Sequence, residues 1–148
     1  MSNPDKAALA AAAGADLVVD YHDDDAAEQL RRFAPTMDRI VEVDLGANLR
    51  LDLALAGPAT TVVTYAAPAG DPTLPIRACM TANVTLRFVL LYGVPGPALA
   101  LATDDITAAL VAGALTELPV HRFALDDIAD AQDAVEAGAV GKVLVDID

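Results

Sequence analysis

The stretch Arg39–Tyr65, RIVEVDLGANLRLDLALAGPATTVVTY, decides the fold class. Arg39 to Asp44 (RIVEVD) is β-branched and reads as a strand. Asn48 to Ala56 reads as a short helix, which Gly57-Pro58 stops. Thr60 to Tyr65 (TTVVTY) is β-branched again and reads as a second strand. Strand, helix and strand in succession form the unit of a parallel sheet, with the helix crossing back over one face.

The same alternation extends in both directions. Upstream, Ser2-Asn3-Pro4-Asp5 is a helix start, with a capping side chain followed by Pro in the first turn. Lys6 to Ala13 continues that helix and Gly14 ends it. Leu17 to Tyr21 reads as a short strand, and Asp23 to Phe33 as a helix that Pro35 closes. Downstream come a short helix over 75–81 and Val84 to Tyr92 (VTLRFVLLY), read as the longest strand. A helix from Ala98 to Ala114, a strand at His121 to Ala124, a helix from Asp126 to Ala137 and a strand from Lys142 to Ile147 complete the chain. The fold class is therefore α/β, a doubly wound, mainly parallel sheet with helices on both faces. It is expected to be incomplete, because no strand precedes the first helix and no G-x-G-x-x-G turn occurs.

Composition narrows the function classes. The 148 residues carry 22 Asp or Glu against 9 Lys or Arg, a formal net charge of −13. Nucleic acid is excluded as a partner and an anionic membrane surface is disfavoured, since both need a basic footprint. Lysine occurs only at Lys6 and Lys142, so few residues can meet an anionic ligand. The lone Cys79 excludes an intramolecular disulfide and any multi-cysteine metal site. A reducing, cytoplasmic location is expected, with no signal peptide and no apolar stretch long enough to span a bilayer.

In an open α/β sheet, ligands collect at the carboxyl ends of the strands. Tyr21, Asp44, Tyr65 and Tyr92 end the strands read here. Lys6 lies in a first helical turn, where a cation and a helix N-terminus together suit a phosphate. Asp23-Asp24-Asp25, Asp104-Asp105 and Asp126-Asp127 are read as residues of helix starts rather than as acid–base or metal groups. Neither His22 nor His121 has a Cys or Ser near it in the sequence for a triad, and the two share no metal-ligand spacing with each other.

On the stretches SNPDKAALAAAAGADLVVDY, DRIVEVDLGANLRLDL, TVVTYAA, NVTLRFVLLY and DDIADAQDAVEAGAVGKVLVDID, the chain resembles the C-terminal half of the zeta-crystallin-like, NADPH-dependent quinone oxidoreductases. These belong to the medium-chain dehydrogenase/reductase superfamily. The resemblance implies a partial Rossmann-like nucleotide-binding domain over 1–120. It also implies a segment, 121–148, that in the family returns to an N-terminal substrate domain. The substrate domain, the first two strands and the glycine-rich turn would lie outside this sequence. By the same resemblance, Ser2, Lys6 and Tyr21 have the spacing of the residues that group around the NADPH 2′-phosphate. Val43, Asp44 and Leu45 would lie near the adenine, and Tyr65, Ala66, Leu91 and Tyr92 near the nicotinamide. Ala66 stands where the family often has Gly, so crowding or a backbone adjustment is expected there. Val84 to Tyr92 resembles the edge strand that pairs in the family's dimer.

The implied function is hydride transfer from NADPH to a quinone or related electrophile, without zinc. Cofactor binding by this chain alone is expected to be weak or absent, and no residue is assigned to catalysis. The alternative is a non-catalytic remnant that serves dimerisation or nucleotide sensing. Leu17 to Tyr21 is expected to pair with Arg39 to Asp44 or with another chain, because its family neighbour is missing.

Overall fold

The computed structural model of the chain describes residues 3–67 and 72–147. Its residues divide into two compact units, Tyr21–Thr107 and the pair Met1–Asp20 with Ala108–Asp148. Helix α5 (Gly96–Val111) spans the boundary between them.

In the unit Tyr21–Thr107, helix α2 (Ala26–Phe33) precedes β1 (Met37–Glu42), α3 (Leu45–Leu55), β2 (Ala56–Thr64), α4 (Ile76–Ala82) and β3 (Thr85–Phe88). The three strands form one sheet in the order β1-β2-β3, and every pairing is parallel. Each crossover carries a helix, as Arg39–Tyr65 predicts. Ile40, Val62 and Leu86 align across the strands and share one face of the sheet. Leu45 and Leu49 of α3 cover that face, and Val62 at its centre is 1% exposed. Residues of opposite parity are left outside, Val41 among them.

The chain enters β2 without a loop. The Gly57 N–H donates to Thr60 Oγ1 at 2.9 Å, and the Thr60 hydroxyl donates to the Met37 carbonyl at 2.5 Å. The fully buried Thr60 thus replaces ladder hydrogen bonds where the β1–β2 register shifts, between Met37 and Arg39.

Three readings of the sequence need correction. Val84–Tyr92 is not the longest strand: β3 has four residues and β2 nine. The β3 ladder stops because β2 itself ends at Thr64, whose carbonyl accepts the Val89 N–H at 2.9 Å as the last sheet-like bond. Leu91–Gly93 then coils into a 3₁₀ turn. Leu17 to Tyr21 forms no strand, and β1 is paired with β2 alone. β-Branched residues favour extended backbone, but a strand exists only within a ladder, and among the described residues neither sheet extends one to this segment. Finally, Asp104 and Asp105 lie in the middle of α5 and not at a helix start.

In the other unit, α1 (Pro4–Ala12) precedes β4 (Val120–Ala124), α6 (Ile128–Glu136) and β5 (Lys142–Asp146). β4 and β5 pair in parallel, and α6 packs against both with Ala131 buried. Across the pair, the Arg122 guanidinium forms an ion pair with Asp146. β5 starts at a tight approach: the Lys142 N–H donates to the Pro119 carbonyl at 2.8 Å, and Gly141 has φ +113°. A Cβ at Gly141 would sit 2.1 Å from the Pro119 oxygen. Gly141→Ala is therefore expected to destabilise this unit by about 1–3 kcal/mol, because the backbone conformation is strained for an L side chain. Urea unfolding followed by circular dichroism measures it; an unchanged midpoint would refute the argument.

No helix among the described residues is long and apolar enough to cross a membrane.

Candidate functional site

Because β1, β2 and β3 are parallel, their carboxyl ends share one edge of the sheet. Glu42, Thr64 and Phe88 are in register at that edge. The chain leaves it through Val43-Asp44-Leu45, Tyr65-Ala66 and, beyond Val89, the turn holding Leu91 and Tyr92. All seven residues of the adenine and nicotinamide sets thus belong to one unit. Six follow strand ends directly or within a few positions, while Leu45 is buried in the core. The side chains of Val43, Tyr65, Leu91 and Tyr92 are exposed, Tyr92 by 94%.

Asp44 caps α3, accepting the Ala47 N–H at 3.2 Å. Glu42, which the sequence reading passed over, organises the same corner. Its Oε1 accepts the Val43 N–H at 2.7 Å, the Asp44 N–H at 2.6 Å and the Asn48 amide at 3.0 Å. A carboxylate of the chain itself therefore takes the amide donors at the β1–α3 turn. Ala66 shows no unusual backbone. Among the described residues only Ala59 and Asn83 combine a side chain with positive φ, and the exposed Ala66 accepts the Thr64 hydroxyl at 3.0 Å through its carbonyl.

A cavity of about 500 Å³ adjoins this corner, lined by Asp44, Gly46, Ala47, Leu49, Arg50, Pro72, Thr73 and Pro75. Arg50 brings a cation beside Asp44 that the sequence reading did not single out. Its signal was available, since Arg50 stands in the second turn of the helix that Asp44 opens.

Asp52 was also passed over. It is 4% exposed on the core face of α3, with Leu45, Leu49 and Leu55, and its Oδ2 has no hydrogen-bond partner. Burial, with the nearby Glu42 charge adding to it, raises its carboxyl from 3.8 to about 7. An Asp at helical spacing on an apolar face was the signal in the sequence.

Tyr21 is exposed, with its ring 4.2 Å from that of His22. Lys6 belongs to the other unit, in the first turn of α1. There it lines a cavity of about 380 Å³ with Leu9, Ala10, Ala13, Leu118, Ala139, Val140 and Gly141. The helix end beside it offers less than expected. Asn3 Oδ1 already accepts the N–H groups of Asp5 at 2.8 Å and Lys6 at 3.2 Å, and the Ala7 N–H is bonded to the Asn3 carbonyl. Pro4 has no N–H to offer, so the amides of this helix end are not free to meet an anion. Ser2 lies outside the described residues.

The acidic runs read as helix starts do not supply side-chain caps. Asp25 opens α2 and Asp127 opens α6 without a cap hydrogen bond from either carboxylate, and Asp25 instead accepts the Gln29 amide at 2.7 Å. Among the described residues, no group of three or more His, Cys, Asp or Glu is placed to hold a metal ion.

Comparison with known proteins gives the class and then the family. The zinc-binding dehydrogenase family model matches residues 13–145. The chain belongs to this family, within the medium-chain dehydrogenase/reductase superfamily. A Pseudomonas syringae quinone oxidoreductase superposes with a TM-score of 0.81 at 23% identity, covering 98% of this chain and 47% of its own. CurA from Vibrio vulnificus, solved in complex with NADPH, gives 0.79 at 18% identity, covering 99% and 48%. Benzyl alcohol dehydrogenase from Acinetobacter calcoaceticus gives 0.80 at 17% identity, covering 99% and 41%. The expected Rossmann-like α/β fold is thereby established. The chain spans about half the length of these relatives or less. No curated protein matched it.

Proposed function

We propose that the chain is the nucleotide-binding part of an NADPH-dependent oxidoreductase that reduces a quinone or related electrophile. The observation that carries this reading is the shared edge at which Glu42, Thr64 and Phe88 end three parallel strands in register. The residues leaving that edge fit a dinucleotide: Val43, Tyr65, Leu91 and Tyr92 offer exposed apolar surface, and Asp44 and Arg50 line a cavity beside it. Bound NADPH would supply the hydride. The residues of this chain would orient the two ring systems and exclude water from one side of the cleft. Membership of a dehydrogenase family and the NADPH complex of CurA support the choice of cofactor.

From their spacing in the sequence, Ser2, Lys6 and Tyr21 are the proposed recognition set for the 2′-phosphate. The capped end of α1 makes Lys6 its decisive member. The exposed Phe88 and Leu90 support a homodimer through Val84–Tyr92. An apolar edge of this kind seeks a partner.

Titration of NADPH and NADH into the purified chain tests the reading. NADPH is expected to bind more tightly, and Lys6→Ala to weaken it by about 10- to 100-fold while leaving NADH unchanged. If the folded chain binds neither nucleotide at millimolar concentration, cofactor function of the chain in isolation is excluded.

A further inference from the structure

A larger cavity, of about 930 Å³, opens at the other end of the sheet. It lies between the C-terminal end of α3, the first residues of β2 and helix α4, with Leu53, Pro58, Pro75, Ile76 and Ala82 in its wall. Ala56–Pro58 open the strand that Thr64 ends, so the groove lies toward the other end of β2 from the proposed nucleotide edge, although Pro75 lines both it and the cavity beside Asp44. A second cavity of about 480 Å³ continues along α4, lined by Ile76, Arg77, Met80 and Thr81.

Charge distinguishes this groove. The chain carries 22 acidic residues, yet among the described residues none lines either cavity, and Arg77 is the single charged one in both linings. The Arg77 side chain is exposed and makes no ion pair among the described residues. Beside it, Ile76 and Met80 stand exposed on α4, Met80 by 75%. The floor is fixed rather than collapsible. Pro58 and Pro75 have restricted backbones, Gly57 is tied to Thr60 and Thr60 to Met37. The Arg31 Nε–H also holds the Ala54 carbonyl at 2.9 Å.

An apolar trough of ligand-binding size, about 300–1,000 Å³, with one free guanidinium at its rim is complementary to an apolar tail ending in one negative charge. The guanidinium fork matches a carboxylate in particular. We propose that the α3–β2–α4 groove binds a free fatty carboxylate, its chain along Leu53, Pro58 and Ile76 and its head on Arg77. The proposal is independent of nucleotide binding at the opposite edge.

Decanoate, below its micelle-forming concentration, is the probe. Titrated into the full chain and followed by amide NMR, it is expected to shift Ala56, Gly57 and Ile76–Ala82 and to bind at least ~10-fold more tightly than decanol or decyltrimethylammonium. Arg77→Gln should lower decanoate affinity about tenfold and leave decanol unchanged, whereas Arg77→Lys should retain most of it. Arg77 is exposed, so the fold should survive, and unperturbed spectra of the free variants verify this. Equal affinity for decanoate and decanol, an indifferent Arg77→Gln, shifts outside the groove, or binding only to anionic phosphatidylglycerol vesicles would each overturn the proposal.

Discussion

Asp52→Asn is expected to leave stability almost unchanged near pH 4 and to raise it by up to ~4 kcal/mol at pH 8. The sign follows from where the proton sits. In the folded chain the Asp52 carboxyl titrates at about 7, against 3.8 when unperturbed. Between these values the folded state holds a proton that the unfolded state has released. Stability therefore falls as pH rises from about 4 to about 7, and the full penalty persists above that window. The cause is geometric. Asp52 is 4% exposed, its Oδ2 is unpartnered, and its neighbours on the buried face of α3 are Leu45, Leu49 and Leu55. Asn carries the same shape without a charge, so it resembles protonated Asp at acid pH and departs from it as the acid ionises. Urea unfolding of both proteins from pH 4.5 to 8.5 gives the difference directly, and a difference independent of pH would refute the account.

The contrast between Asp52 and the sheet beneath it shows what was legible in the sequence. Arg39–Tyr65 could be read because each local cue agrees with the packed result: β-branched runs where the strands lie, a stop at Gly57-Pro58, and parity that places Val62 against Leu45 and Leu49. The cap at Asn3 was legible for the same reason, although its consequence, an α1 end with its amides already bonded, needed the hydrogen bonds themselves. Leu17–Tyr21 and Val84–Tyr92 were misread because strand length is set by the neighbour. VTLRFVLLY has strand propensity throughout, yet its ladder ends where β2 ends. That the chain leaves β1, β2 and β3 at one shared edge could be read because it depends only on strand direction, whereas Tyr21, read at the same edge, follows no strand. Glu42 escaped notice because its role rests on three donors from the following turn, which composition does not announce.

Glu42→Ala is expected to cost about 3–5 kcal/mol, because it removes the acceptor shared by the Val43 and Asp44 N–H groups and the Asn48 amide at a 6% exposed position. Glu42→Gln keeps an oxygen where those donors converge and should recover more than half of the loss. The two acidic residues are also coupled. Glu42 contributes to holding the Asp52 carboxyl up, although burial is the larger cause, so removing Glu42 should lower that carboxyl only part of the way from about 7. The Glu42→Ala loss should accordingly be smaller at pH 8, where it relieves an ionised Asp52, than at pH 5, and Asp52→Asn should gain less in the Glu42→Ala background. A double-mutant cycle at the two pH values measures this coupling, and strict additivity at both would break the link. Amide exchange supplies the local readout. Val43 and Asp44, whose N–H groups point at the Glu42 carboxylate, should exchange faster in Glu42→Ala, while Val62 keeps its protection. That pattern would make Glu42 a positioning residue for the corner through which Val43 and Asp44 leave the carboxyl edge of the sheet. Uniformly faster exchange across β2 would instead make the loss a general unfolding of the sheet.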